Sequence, residues 1–147
     1  RRMIYAFWRR SSSPAFLFDQ AQRRRCEVRQ RLTNTPLQAL TLLNDESVLE
    51  ASQFLSAQCL RNYATREGIE WMAVRILGRP LADGEWTLIH QQYQDVHDAF
   101  SQRPYDAKAY ITIGQQLPDR SLDPADHAAL MWVANMLYNL DEAMTHE

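Results

Sequence analysis

The feature that most restricts the fold is a run near the end of the chain, residues 128–138, in which ten of eleven residues are apolar and only Asn135 is polar. Asp123-Pro124 stands a few residues before it. This pair is typical of a helix N-terminus, because Asp caps the free N–H groups and Pro suits the first helical position. A helix that is apolar on every side has to be surrounded by other elements. The sequence therefore predicts a helix over 124–138 at the centre of the fold.

The rest of the chain indicates that the surrounding elements are helices too. There are only four Gly and six Pro in 147 residues, and this scarcity of turn-forming residues favours long helices over many short strands. A chain of this length can bury roughly 68–70% of its unfolded surface, so it needs no disulfide or metal for stability. We therefore expect an all-α fold, an irregular bundle of about five to six helices around the buried C-terminal helix.

Local signals place the other helices. Thr35 and Gln38 have the spacing of a capping box, with Pro36 at the first helical position. Asn44-Asp45 offers a second helix start almost at once. Apolar periodicity and these caps predict helices over about 36–43, 46–61, 69–77, 83–102 and 106–115, the last capped by Asp106 and ended by Gly114.

Charge is distributed unevenly along the chain. Residues 1–31 contain nine Arg and two acidic residues, whereas residues 32–147 contain seven basic and sixteen acidic residues. We expect the basic segment to pair with the acidic helices or with an upstream domain, because it lacks the interleaved aromatic side chains that stack on nucleic-acid bases. Binding of an anionic polymer through residues 1–31 is a weaker alternative. The candidate interaction residues are Arg1, Arg2, Arg10 and Arg29.

The residue types that carry chemistry do not form a known catalytic or metal-binding pattern. His90 and His97 are about 10.5 Å apart along a helix, too far to share one metal ion, and we expect them to make local hydrogen bonds in the core. The chain has no Gly-rich phosphate loop and no Ser–His–Asp arrangement. Cys26 and Cys59 lack the Cys-x-x-Cys-His motif of covalent haem attachment, and we favour two buried thiols over a disulfide. We therefore name no catalytic residue, metal ligand or cofactor for this segment.

The start of the sequence indicates that this chain is part of a longer protein. It begins Arg1-Arg2-Met3 inside an apolar run, and we expect a single helical domain at the C-terminus of a multidomain protein. Residues 1–32 would be a basic connector and residues 33–147 the helical body. No stretch reaches the ~18 consecutive apolar residues of a membrane span.

Several strings in the sequence are similar to those of one known family. They are Arg1-Arg2-x-Ile4-Tyr5-x-Phe7-Trp8-x-Arg10, Phe18-Asp19, Cys26, Arg29, Thr33-Asn34-Thr35-Pro36-Leu37-Gln38-Ala39-Leu40, Leu42-Leu43-Asn44-Asp45, Gly78-Arg79 and Asn139-Leu140-Asp141-Glu142. Through these strings the chain resembles the C-terminal part of the planctomycete cytochrome-associated domain of unknown function. The resemblance covers essentially all 147 residues of the chain. Glu46 departs from this family, which usually has Pro there.

The resemblance implies an extracytoplasmic location, in the periplasm or at the cell surface, and a covalent haem c in another domain of the full protein. It establishes no activity for this domain. Its signature residues, which we expect to cap helices and form ion pairs, are Thr33, Asn34, Thr35, Pro36, Gln38, Asn44, Asp45, Asn139, Asp141 and Glu142.

From this resemblance we expect a non-catalytic interaction or scaffold module of a haem-containing envelope protein. Its partners would be the upstream domains of the same protein and other envelope redox proteins. The alternative is a composite active site of a redox or polysaccharide-related enzyme, to which Asp45, Asn139, Asp141 or Arg29 would contribute.

Overall fold

The structure, a computed structural model, describes residues 35–144. The predictions for Thr33, Asn34, Cys26, the four candidate Arg residues and the connector therefore lie outside the described residues. Residues 35–144 contain seven helices and no strand, so the predicted all-α class is confirmed. The helices are α1 (Pro36–Asn44), α2 (Glu46–Asn62), α3 (Thr65–Leu77), α4 (Asp83–Gln102), α5 (Pro104–Tyr110), α6 (Pro124–Tyr138) and α7 (Asp141–Met144).

Helix α6 lies at the centre, as its apolar sequence predicts. Nine of its fifteen residues are buried, and it contacts each of the other six described helices. The carboxylate of Asp123 accepts hydrogen bonds from the N–H groups of Ala125 at 3.0 Å and Asp126 at 3.1 Å. These bonds satisfy two of the N–H groups that a helix start leaves without intrahelical partners. The helix therefore begins and ends where the sequence predicts.

The two predicted caps around α1 are also confirmed. Thr35 N–H donates to Oε1 of Gln38 at 2.7 Å, and Gln38 N–H donates back to Oγ1 of Thr35 at 3.3 Å. Asp45 then accepts from Ser47 N–H at 2.9 Å and Val48 N–H at 3.3 Å. Because one residue separates α1 from α2, the Asp45 cap determines where the chain changes direction.

Two predicted boundaries are wrong. Helix α3 begins at Thr65, one turn before the first apolar residue of its stripe, although it ends as predicted at Gly78, whose φ of 77° is left-handed. Helix α5 covers Pro104–Tyr110 instead of 106–115. Pro104 occupies the first helical position, which its fixed φ suits, so Asp106 lies in the first turn and does not cap. Gly114 lies in the loop beyond the helix.

The core has two apolar clusters, both built on α6. The larger joins α6 to α2, α3 and α4, and the smaller joins α6 to α2 and α5. Cys59 lies in the larger cluster as a free buried thiol, in agreement with the expectation for this cysteine, and burial raises its pKa to about 11. None of the helices between residues 35 and 144 is long and apolar enough to cross a bilayer.

A polar seam crosses the core between α2 and α6. Nε2 of Gln53 donates to the carbonyls of Ile111 at 2.7 Å and Gln116 at 3.2 Å, which holds the loop after α5 against α2. Nε2 of His127, on α6, lies 3.1 Å from the carbonyl oxygen of Gln53. His127 is completely buried, and burial lowers its pKa, so the native fold favours the neutral imidazole.

Candidate functional site

The polar signature residues between Thr35 and Asp45 engage backbone groups nearby. Thr35 and Gln38 form the capping box, Asp45 caps α2, and Nδ2 of Asn44 donates to the carbonyl of Leu40 at 2.7 Å. From α6, Nδ2 of Asn135 reaches the carbonyl of Leu43 at 3.1 Å, one of the carbonyls that the end of α1 leaves without an intrahelical partner. These side chains therefore set the position and direction of α1.

The outward side of α1 is apolar. Leu37, Leu40 and Leu43 are 62%, 58% and 41% exposed, and residues three apart are neighbours on a helix surface. We call these three side chains the leucine face. The helix has no charged residue, and an exposed apolar surface of this kind is typical of an interaction site.

The C-terminal signature residues lie at the opposite end of the described chain, where Glu142 meets Arg79. Nε and Nη2 of Arg79 donate to the two carboxylate oxygens of Glu142 at 2.7 and 2.8 Å. Nη1 and Nη2 donate to the two oxygens of Glu85, both at 2.8 Å. One guanidinium thus binds two carboxylates, each in the bidentate geometry that Arg favours. The structure therefore joins two family strings that are sixty-three residues apart.

We call Arg79, Glu85 and Glu142 the Arg79 cluster. Their hydrogen bonds shift the pKa values of all three side chains. Hydrogen bonds from Arg79 lower the pKa of Glu85 to about 2 and hold the pKa of Glu142 below its usual value. The hydrogen bonds to Glu85 and Glu142 in turn raise the pKa of Arg79. All three side chains are about two-fifths exposed, so solvent screens their attraction. The cluster ties α7 to the ends of α3 and α4.

The other two C-terminal signature residues lie just before α7 and in its first turn. Asn139 is the C-cap of α6, directly after Tyr138, and its N–H donates to the carbonyl of Asn135. Its side-chain oxygen is buried without a hydrogen-bond partner in the structure. Asp141 is exposed in the first turn of α7.

An apolar groove lies beside the Arg79 cluster. It has a volume of about 220 Å³ and runs between the end of α3, the first half of α4 and the end of α6. Leu88 and Leu140 on its rim are 67% and 40% exposed. Glu85 and Gln92 are its polar lining residues. We call it the α4 groove, and its apolar lining is Leu77, Leu81, Leu88, Ile89, Met136 and Leu140.

Sequence reasoning missed a third constellation, between α4 and α6. Tyr93 Oη donates to Oδ1 of Asp126 at 3.1 Å, and Nε2 of His97 lies 3.3 Å from the same oxygen. Burial, and then the negative charge of Asp126, raises the pKa of Tyr93. The spacing of Tyr93 and His97 showed that they share a helix face, but no sequence signal pairs that face with the first turn of α6.

The two α4 histidines differ from each other. His97 is one-third exposed and contacts carboxylates, so the expectation of a core position is wrong for it. His90 stacks on Trp86 with ring centroids 5.2 Å apart and lies 6.4 Å from the Tyr93 ring. Residues 35–144 contain no group of three or more His, Cys, Asp or Glu side chains placed to hold a metal ion.

Comparison with protein-family models finds a match over the first part of the chain. A family model, PSD1, described as a protein of unknown function (DUF1553), matches residues 1–93. The match includes the capping box, the leucine face and the Arg79 string, and it ends within α4. No curated protein and no solved structure matches the chain.

Proposed function

This chain belongs to the PSD1 family, proteins of unknown function (DUF1553), and within it we propose that the domain is a non-catalytic interaction or scaffold module. The observation that carries the proposal is the leucine face of α1. It lies inside the family match, and the signature residues Thr35, Gln38 and Asp45 around it are used to position the helix. What α1 offers to a partner is therefore an apolar surface.

The wider setting of the module is part of the same proposal. We place it against upstream domains of the same protein, in the periplasm or at the cell surface, with covalent haem c bound by another domain. Other envelope redox proteins are further partners. Support for this setting is the resemblance to the planctomycete cytochrome-associated domain.

The leucine face is large enough to contribute measurably to binding. Complete burial of a Leu side chain is worth about 1.5–3 kcal/mol, and about half of each of the three side chains is exposed. Burying the remainder would contribute roughly 1 kcal/mol per residue. Three residues together then contribute about 3 kcal/mol, a factor of roughly 100 in affinity.

The test is calorimetric titration of the 147-residue chain with the separately expressed upstream region of its protein. We expect binding by the wild type and at least tenfold weaker binding by Leu40→Asp, because the charge would be desolvated in the interface. Leu117→Asp is the matched control, because Leu117 is 81% exposed in the loop before α6. Absence of wild-type binding, or equal effects of the two substitutions, would contradict the proposal.

A further inference from the structure

We propose that the α4 groove is the docking site of the chain's own N-terminal segment, Arg1–Arg10, and that an aromatic side chain of this segment fills it. This inference is independent of the proposed function, which concerns the leucine face of α1. It is argued from the size of the groove, the charge around it, and the order of residues in the segment.

The groove has the size and chemistry of an aromatic-ring site. An apolar cavity of about 150 Å³ holds a benzene molecule, and the α4 groove has about 220 Å³. Its lining is Leu, Ile and Met except for Glu85 and Gln92. The segment contains the run Met3–Trp8, which includes Tyr5, Phe7 and Trp8. Any of these three rings would displace water from the groove, and apolar burial favours that exchange.

Three of the four helices around the groove are acidic. Together α4, α6 and α7 contain seven Asp and Glu residues and no Lys or Arg, whereas α3 contains two Glu and two Arg. At one end of the groove the Arg79 cluster has two carboxylates and one guanidinium, a net charge of −1. At the other end, Asp95 is exposed and lies one turn beyond Gln92 on the same side of α4. The apolar floor is therefore bracketed by negative charge.

The segment carries the complementary pattern. Arg1-Arg2 and Arg9-Arg10 flank the apolar run on both sides. Glu85 and Asp95 are ten residues apart on α4, about 15 Å along the axis. Arg2 and Arg9 are seven positions apart, a distance of about 10.5 Å in a helix and at most about 25 Å in an extended chain. The distance between the acidic ends lies within that range, so both Arg pairs can meet acid while the run covers the groove.

The connection and the family match support an intramolecular occupant. Residues 11–34 provide 24 residues between the segment and Thr35, which can reach up to about 80 Å, well beyond the size of a compact domain of this length. The family match includes the segment and the α3–α4 part of the groove together. The leucine face is a poorer site for this segment, because α1 has no acidic residue to pair with four Arg.

The test is digestion of the 147-residue chain with an Arg-specific protease, following cleavage after Arg9 and Arg10 by mass spectrometry. Leu88→Lys places a positive charge on the rim, and because Leu88 is 67% exposed we expect the fold to persist, as checked by circular dichroism. We expect cleavage at least tenfold faster in Leu88→Lys than in the wild type. Leu117→Lys, in the loop before α6, should leave the rate unchanged.

Three outcomes would overturn the proposal. Equal cleavage rates in the wild type and Leu88→Lys would show that the groove does not hold the segment. Faster cleavage in Leu40→Lys, with Leu88→Lys unchanged, would assign the segment to the leucine face. Wild-type protection that disappears on dilution would assign the groove to the segment of a second copy of the chain.

Discussion

Substitution of Gly68 by Ala tests how closely α2 and α3 approach each other. A Cβ at residue 68 would overlap Sγ of Cys59 and lie 3.5 Å from Cβ of Tyr63. Cys59 is only 1% exposed, so its sulfur has little room to move. Gly68 is thus the position at which the absence of a side chain lets the two helices pack.

The expected magnitude follows from two opposing effects. Overpacking a filled core costs about 1–3 kcal/mol, and the buried sulfur places this site in the upper half of that range. Replacing Gly by Ala inside a helix returns up to about 1 kcal/mol. We therefore expect Gly68→Ala to lower the free energy of unfolding by about 1–2 kcal/mol, which corresponds to roughly 2–8 °C in Tm for a domain of this size.

Urea unfolding followed by tryptophan fluorescence measures the effect, and a double mutant identifies its cause. In Gly68→Ala/Cys59→Ala the new methyl group occupies the space that the sulfur leaves, so we expect the double mutant to be more stable than Gly68→Ala alone. Gly84→Ala in α4 is the matched control, because a Cβ there meets no atom within 4 Å. It should be neutral or stabilising. The reasoning is refuted if Gly68→Ala is as stable as the wild type, or if the effects of Gly68→Ala and Cys59→Ala simply add.

Three further predictions concern the caps, the Arg79 cluster and the polar seam. Asp45→Ala should lower the free energy of unfolding by about 1 kcal/mol through loss of the α2 cap. Asp98→Ala, at a side chain that is 76% exposed, should change it little, and equal urea midpoints for the two variants would contradict the capping role. Glu142→Gln should speed amide hydrogen exchange in α7 but not in α6. Because Arg79 lowers the pKa of Glu142, the stabilisation from this ion pair is present above the unfolded pKa near 4.3. It is lost as the pH falls through the folded pKa. His127 has a lowered pKa in the native state, so the unfolded chain binds its proton first and stability should fall as pH drops below about 6.5. Urea midpoints at pH 7.5 and 5 should show this decrease for the wild type and a smaller one for His127→Gln, and equal slopes would count against the buried imidazole as its source.

The helical architecture and most helix ends were predictable from the sequence because they depend on local chemistry. Asp123-Pro124 and the Thr35/Gln38 box satisfy N–H groups within three residues of themselves, so their effect can be read without knowing the rest of the chain. Helix α6 was identified as central because an apolar surface on all sides has no stable alternative to burial. Helix α5 was misplaced because Pro104 and Asp106 are competing start signals within one turn.

The contacts that define the candidate surfaces were decided by tertiary structure. Arg79 meets Glu142 across sixty-three residues, and Asp126 meets Tyr93 across thirty-three. No periodicity within one helix determines which helix packs against it. The exposure of the α1 leucines could not be predicted from the sequence either. Their sequence spacing is equally consistent with a core position, and only the packing of α1 against α2 and α6 leaves them exposed. Local physics therefore determined which segments are helices and where they begin, whereas the long-range packing of those helices decided which side chains remain available to a partner.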